Sequence, residues 1–327
     1  MGQQKLIWCS QPYEPGLLEM LRSAADPEEL ILAWSQNASN LAGVVRDERL
    51  LSDCHIAIGQ PDPQDVIDST SLEWVHLTSA GYTRYDTDAV RQAVRARGMI
   101  VTNSSRVYDE PCAQHALAML LAMTRQLPRA VRDQATQAWH YNAIRRDSLV
   151  LARQTVAIVG MGTIGKRLAE LLGPFGCKVI GFRRSVSGSE SVPTHSIDQL
   201  DESLPNVDVV INTLPASSST ANFFDHDRFA RFKPGSLYIN IGRGDTNDQR
   251  ALAFALTQGQ IAQAYLDVTT PEPLPADHVL WTTPNCHITP HTAGGWADEF
   301  ARQLEHFIDN LRLFRSGQPL LGRILDR

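Results

Sequence analysis

The sequence predicts an α/β protein built as two doubly wound parallel-sheet domains. Three observations predict it. Short apolar runs alternate with polar helical stretches through the first hundred residues. The same alternation starts again at Gln154, and strongly apolar helical sequence separates the two halves. Alternation of this kind implies parallel strands covered on both faces. A chain of 327 residues is also too long for one ordinary core and suits two.

In the first half, residues 5–9, 30–34, 55–59, 74–78 and 99–103 read as strands, with helices over 17–22, 40–49 and 87–97. Residues 110–125 then read as a helix, with Ala113, Ala116, Leu117, Leu120 and Leu121 spaced for one buried face. A further helix spans roughly 128–139, and the pair is a bridge into the second half. There, strands are expected near 156–159, 178–182, 208–212, 236–241 and 261–267, and a long amphipathic helix over 297–314. No internal repeat or low-complexity linker interrupts the pattern.

Composition narrows the function classes. A hydrophobic fraction of 43% and a charged fraction of 20% are those of a soluble globular chain. The net charge of −6 provides no basic footprint for nucleic acid. Arg129, Arg132, Arg145, Arg146 and Arg153 cluster along one segment, which reads as a solvated face or a subunit contact. No apolar run approaches the ~20 residues needed to cross a bilayer, and MGQQKLIWCSQ at the start lacks a signal peptide's apolar core. Cys9, Cys54, Cys112, Cys177 and Cys286 are an odd, scattered set without a C-x-x-C pair. Reduced thiols in a cytoplasm and no metal site follow; Cys177, beside a strand, reads as core.

The first chemical signal is Thr155-Val-Ala-Ile-Val-Gly160-Met-Gly162-Thr163-Ile164-Gly165. It is a strand, a G-x-G-x-x-G turn and a helix start, with the helix expected over 166–172. Gly160 allows the tight turn, Gly162 lets backbone approach a pyrophosphate, and Gly165 lets the helix pack on the strand. The helix N-terminus offers N–H groups and a positive dipole end to phosphates. The second half is therefore a Rossmann dinucleotide domain.

The strand after this helix ends Val-Ile-Gly-Phe-Arg183-Arg184-Ser185. About 20 residues past the glycine turn, such a domain usually places the acid that holds the ribose 2′-OH. Here stand two arginines, whose guanidinium groups bind phosphate where a carboxylate would repel it. Ser185 and Ser187 add hydroxyl donors, and Glu190 lies too far along the loop to stand in for the acid. The expected cofactor is NADP(H), with NAD(H) as the alternative.

Three later segments each put a polar residue at or beyond a strand's carboxyl end, where open α/β sheets bind ligands. They are Tyr238-Ile-Asn-Ile241-Gly242-Arg243-Gly-Asp245, Tyr265-Leu-Asp267-Val-Thr-Thr-Pro-Glu272-Pro-Leu-Pro, and Ile288-Thr-Pro-His291-Thr-Ala-Gly294-Gly295. With the glycine turn they agree in order and spacing with the D-isomer-specific 2-hydroxyacid dehydrogenases, which the sequence resembles over residues 72–321. Within that family it looks most like the glyoxylate/hydroxypyruvate reductases.

The resemblance implies a small 2-keto acid reduced to a D-2-hydroxy acid. Arg243 would bind the substrate carboxylate and polarise the keto oxygen, and His291 would protonate that oxygen. Glu272 would pair with His291, favouring the imidazolium and orienting the ring. Ser79, Ala80 and Gly81, in Leu-Thr-Ser-Ala-Gly-Tyr82, match the family's carboxylate-holding loop, beside which Tyr82 is a specificity residue or simply surface. Leu214, Pro215, Ile241, Gly242, Asp267 and Gly294 would line the cofactor, with Asp267 at its carboxamide end. Trp139 falls in a segment that packs in a helix interface or contributes to a homodimer.

The family's architecture places a Rossmann cofactor domain, here residues 107–291, inside a flavodoxin-like substrate domain formed by 1–106 and 292–327, with the active site in the cleft. Departures are Gln114 for an acid, Thr163 for an arginine, Val-Thr-Thr-Pro before Glu272, and Trp296 after Gly295. None removes a catalytic group. Two other readings share the fold: an NAD-dependent dehydrogenase of another D-2-hydroxy acid, and a dinucleotide-sensing interaction protein like the C-terminal-binding-protein corepressors. Turnover of 2-keto acids separates the last from the enzymes.

Overall fold

The computed structural model describes residues 4–33 and 51–325. By its internal packing the chain divides into two units, Met1–Tyr108 with Trp296–Arg327, and Asp109–Gly295.

The first unit begins with β1 (Leu6–Cys9), β2 (Glu29–Leu32), β3 (Ile56–Gly59), β4 (Trp74–Leu77) and β5 (Ile100–Asn103). They are parallel neighbours in the order β2-β1-β3-β4-β5, the flavodoxin-like winding. Every residue of β3 and β4 is buried, as strands covered on both faces must be. The helices between them are α1 (Pro15–Ala25), α2 (Pro63–Asp68) and α3 (Asp88–Arg97). α3 shows why its sequence makes a helix there. The Thr87 hydroxyl accepts the Val90 N–H at its start, Gly98 adopts φ 65° at its end, and Val90 and Val94 form the buried stripe. The helix expected over 40–49, and Trp34 of the second expected strand, lie outside the described residues.

α4 (Ser105–Thr124) starts one turn earlier than its sequence pattern indicated and carries the chain into the second unit. Its Ala113, Ala116 and Leu120 are fully buried. α5 (Leu127–Ala135) and α6 (Tyr141–Asp147) follow; the helix expected over 128–139 is α5, which ends at Ala135, short of its expected end, and α6 lies beyond that range. Trp139 lies between them and is 90% exposed, which corrects its expected packing in a helix interface. The cause is visible locally: Gln137 adopts φ 56°, a left-handed turn that ends the helix.

The second unit continues with β6 (Thr155–Val159), α7 (Thr163–Leu172), β7 (Lys178–Arg183), β8 (Thr194–Ser196), α8 (Leu200–Ser203) and β9 (Val209–Asn212). Then come α9 (His226–Ala230), β10 (Ser236–Asn240), α10 (Gln249–Thr257), β11 (Ile261–Leu266) and β12 (Cys286–Ile288). All seven strands are parallel, in the order β12-β11-β10-β9-β6-β7-β8. Renumbered within the unit this is 3-2-1-4-5-6 plus one edge strand, the Rossmann order with its switch point between β6 and β9. β12 ends at Ile288, where the sequence placed a strand end; the edge strand β8 was not foreseen, because a three-residue strand carries too short an alternation to register.

The chain returns to the first unit with α11 (Glu299–Arg315) and β13 (Arg323–Ile324), which pairs antiparallel with β5. α11 buries Leu304, Phe307, Ile308 and Leu311, and Phe307 stacks on Trp74 at 5.0 Å between ring centroids. Cys177 is half-buried rather than fully in the core.

Candidate active site

In the second unit the glycine turn sits at the switch point between β6 and β9. Gly160 has φ 108°, and a Cβ on it would fall 2.7 Å from the Thr213 hydroxyl. A Cβ on Gly165 would collide with the Gly160 carbonyl oxygen, so that glycine sets how closely α7 lies on β6. Around Gly162 a Cβ would find nothing within 4 Å. The turn is thus packed on its protein side and open where a phosphate would lie. Among the described residues no side chain caps α7, which leaves the amides of Thr163, Ile164 and Gly165 available for a phosphate. These residues fit a dinucleotide.

The loops after β9 and β10 close on the same end of the sheet. Ile241 and Leu214 are buried and Pro215 is exposed. Gly242 lies against Leu214, where a Cβ would meet the Leu214 carbonyl oxygen at 2.5 Å. Asn212 Oδ1 accepts the Leu214 N–H and Asn240 Oδ1 accepts the Gly242 N–H, so each loop is fixed by the asparagine that ends its strand.

Arg183, the last residue of β7, is half-buried, and Arg184 and Ser185 after it are exposed. Glu190, set aside on sequence distance, folds back. Its Oε1 lies 3.1 Å from Arg183 Nη1 and accepts the Ser187 amide and hydroxyl, while Oε2 accepts the Gly188 amide. Its side chain is only 4% exposed. The Ser187 amide and hydroxyl, with the other loop amides, hold its carboxyl down to about 2. The loop reverses at Gly188, φ 79°, and this turn brings the acid back to the strand end.

Arg243 follows β10 in extended conformation. Its carbonyl oxygen accepts from Asn240 Nδ2 and Thr246 Oγ1, and its Nη1 donates to the Gly242 carbonyl oxygen at 2.6 Å. Gly244 lets this loop press on the next one, since a Cβ there would collide with the Thr269 carbonyl. Burial lowers the Arg243 guanidinium from its ordinary range, against the opposing pull of Cys112, Glu272 and Asp245. An arginine in that range stays a cation at neutral pH.

The loop after β11 carries Glu272, whose Oε1 accepts the Thr269 amide and whose Oε2 is 2.7 Å from His291 Nδ1. Burial works to raise the Glu272 carboxyl, but the His291 and Thr269 hydrogen bonds with the His291 and Arg243 charges hold it below its ordinary value. A carboxylate only accepts, so Nδ1 bears a hydrogen, and Nε2 has no hydrogen-bond partner among the described residues. His291 itself has φ 54°, a left-handed conformation maintained only when its surroundings over-determine it. They do: its amide donates to the carbonyls of Asp267 and Thr289. The next two amides, Thr292 and Ala293, donate to the two oxygens of Asp267 at 2.9 and 3.0 Å. Asp267 is 2% exposed and anchors this loop, a duty its sequence position does not announce. Gly294 follows, half-buried.

In the first unit, Ser79, Ala80 and Gly81 form a turn after β4. All three carbonyls are held by the protein: Ser79's accepts the Ser104 amide, Ala80's accepts Asn103 Nδ2, and Gly81's accepts the Ser79 hydroxyl. Among the described residues no acceptor takes their three N–H groups. Gln60 steadies the turn through Ser79 Oγ. Tyr82 is half-buried beside it.

Sequence reasoning missed three partners of this site: His115, Tyr265 and Thr289. His115 Nε2 meets the Tyr265 hydroxyl, which meets Thr289 Oγ1, and that hydroxyl donates to Asp267 Oδ1 at 2.6 Å. Thr289 and Tyr265 lie within quoted motifs, but in strand sequence an inward polar residue has no signature of its own. Gln114, the departure beside His115, donates to Glu110 at 2.5 Å. Among the described residues no His, Cys, Asp and Glu group could hold a metal.

A dinucleotide turn at a Rossmann switch point, with Arg, Glu and His at neighbouring strand ends, is the scaffold of a nicotinamide-dependent oxidoreductase. The chain belongs to the D-isomer specific 2-hydroxyacid dehydrogenase family: the model of that family's NAD binding domain matches residues 117–293. The human glyoxylate reductase/hydroxypyruvate reductase is 33% identical over 228 residues, 68% of this chain and 67% of the relative. The D-3-phosphoglycerate dehydrogenase of Mycobacterium tuberculosis H37Rv is 30% identical over 258 residues, 79% of this chain, but the match spans only 48% of that longer protein. A solved NADPH-dependent glyoxylate/hydroxypyruvate reductase from Sinorhizobium meliloti, in complex with NADP and sulfate, superposes with TM-score 0.79 at 25% identity, covering 98% of each chain.

Proposed function

We propose that the protein is an NADPH-preferring reductase of small 2-keto acids, giving D-2-hydroxy acids, of the glyoxylate/hydroxypyruvate reductase kind. The observation that carries the reaction class is the His291–Glu272 pair beside a fixed Arg243. Arg243 holds the substrate carboxylate and polarises the keto oxygen. The Ser79–Gly81 turn of the first unit, with carbonyls tied back and amides that meet no acceptor among the described residues, is suited to binding a carboxylate. When bound, the nicotinamide cofactor supplies the hydride to the keto carbon. His291 gives the proton at Nε2 to the keto oxygen, while Glu272 steadies the imidazolium at Nδ1. In the reverse direction His291 takes that proton back.

The glycine turn and the amides of Thr163, Ile164 and Gly165 are proposed to take the pyrophosphate. Leu214, Pro215, Ile241, Gly242 and Gly294 would line the rest of the cofactor, with Asp267 near its carboxamide. Arg183, Arg184 and Ser185 would take a 2′-phosphate, and the Sinorhizobium meliloti structure with NADP supports that reading. Only Arg183 Nη1 is taken by Glu190 among the described residues. Glu190 also favours a second reading, NAD(H), because a carboxylate at this strand end can accept ribose hydroxyls.

Steady-state reduction of glyoxylate, hydroxypyruvate, pyruvate and phenylpyruvate, each with NADPH and NADH, tests both. Turnover favouring NADPH is expected. An NADH preference would transfer the cofactor reading to Glu190, and no turnover with any acid would overturn the enzyme. The exposed Leu127, Val131, Trp139 and Tyr141 of the α5–α6 segment, with Val150 just beyond it, fit a homodimer; light scattering at the mass of one chain would exclude it.

A further inference from the structure

A chain of side chains runs from α4 to the loop that carries His291, and its hydrogens can be assigned by elimination. The Asp267 carboxylate only accepts, so Thr289 Oγ1 donates to it. Having donated its one hydrogen, Thr289 accepts from the Tyr265 hydroxyl, and Tyr265 in turn accepts from His115 Nε2. Every donor therefore points one way, from His115 to Asp267. Among the described residues, the other hydrogen-bond donors to that carboxylate are the amides of Thr292 and Ala293. One acid thus ties the end of the chain to the two residues after His291. Burial and the Asp267 charge keep the Tyr265 phenol protonated, outweighing the Thr289 hydrogen bond, as a donor to Thr289 requires. The rings of His115 and Tyr265 lie 5.5 Å apart, tilted by 38°.

We propose that His115, Tyr265 and Thr289 are positioning residues for the reaction: they fix the Asp267 carboxylate so that it holds the His291 loop in its left-handed conformation. None of them touches the reacting atoms. The backbone of His291 is strained, and an Asp267 free to rotate would lose its paired hold on Thr292 and Ala293. Imidazole Nε2 would then be displaced from the keto oxygen, and displacement of about 1 Å can cost about 100-fold in rate. The inference rests on His291 as the proton donor.

The test is a set of conservative variants read by kcat, KM and dinucleotide affinity. Tyr265→Phe keeps the ring and removes the hydroxyl. It is expected to lower kcat by roughly 10- to 100-fold with the keto-acid KM and the cofactor Kd nearly unchanged. His115→Ala should lose a similar factor, and the double variant should lose no more than the worse single one, because both break the same chain. Thr289→Val should lose kcat and Thr289→Ser should restore it. That last pair decides the matter if Tyr265→Phe does not fold. The proposal is overturned if Tyr265→Phe and Thr289→Val keep the parental kcat, if the losses multiply in the double variant, or if Thr289→Ser rescues nothing. Failure here differs from failure of the proposed function. Normal turnover in His291→Ala would remove the proton donor itself, whereas an inactive His291→Ala beside a normal Tyr265→Phe would remove only the positioning chain.

Discussion

His291 shows how one residue gathers several constraints. Glu272 orients its ring through Nδ1, two carbonyls hold its amide, and the next two amides are held by Asp267. General acid catalysis from a positioned histidine contributes on the order of 10²–10⁴-fold. His291→Ala should therefore lower kcat by about that factor while dinucleotide binding, followed by cofactor fluorescence, survives. Turnover near the parental rate would rule out the proposed role of proton donor. The ring's partner was legible in the sequence as a motif. Its backbone conformation was not, since φ at a non-glycine residue depends on the carbonyls that three-dimensional packing supplies.

At the scale of elements, the loop after β7 is the instructive case. Strand and arginines were readable, because a buried run ending in two cations stands out in one dimension. The return of Glu190 was hidden, because seven residues of loop can run straight or double back. Here Gly188 lets them double back, and one carboxylate gathers the loop's donors. This bears on the choice of variant. An aspartate at position 183 would sit against Glu190 and repel it, so Arg183→Gln is the cleaner change. It should raise the KM for NADPH over that for NADH by roughly 10-fold or more, the loss of about 1.5–3 kcal/mol for a charge-assisted bond. Equal effects on both cofactors would mean that Arg183 does not read the 2′-phosphate. The α7 start behaves oppositely. Gly160 and Gly165 were predictable from spacing because steric exclusion at a strand–turn–helix is local.

Over the whole molecule, the expectation most open to solution measurement is pH dependence. In the first unit Trp74 Nε1 donates to Thr102 Oγ1, whose hydrogen faces His76 Nδ1; His76 Nε2 then donates to Ser104 Oγ, which donates to the Leu77 carbonyl. The chain of donors leaves His76 neutral. Burial lowers His76 well below 6.5, with His306 adding to it, and burial likewise lowers His306. In the second unit burial, then the Arg132 charge, lowers His287 to about 4. Between those folded-state values and 6.5 the unfolded chain holds protons that the fold lacks. Stability contributed by these groups is present above about 6.5 and is lost as pH falls below it, by at most about 1.4 kcal/mol per pH unit for each. A Tm clearly lower at pH 5.5 than at 7.5 is expected; an equal or higher value would contradict it.

The sequence alone determined two parallel-sheet α/β domains, a dinucleotide turn, and the order of Arg243, Glu272 and His291 along the chain. Strand alternation, glycine spacing and motif order are written in one dimension, since each reflects neighbours within a few residues. Tertiary structure decided the rest. It set the strand orders, the break between α5 and α6 that exposes Trp139, the return of Glu190 to Arg183, and the donor chain from His115 to Asp267. Each of these depends on which distant atoms meet, and burial then favours a partner for the polar atoms brought together.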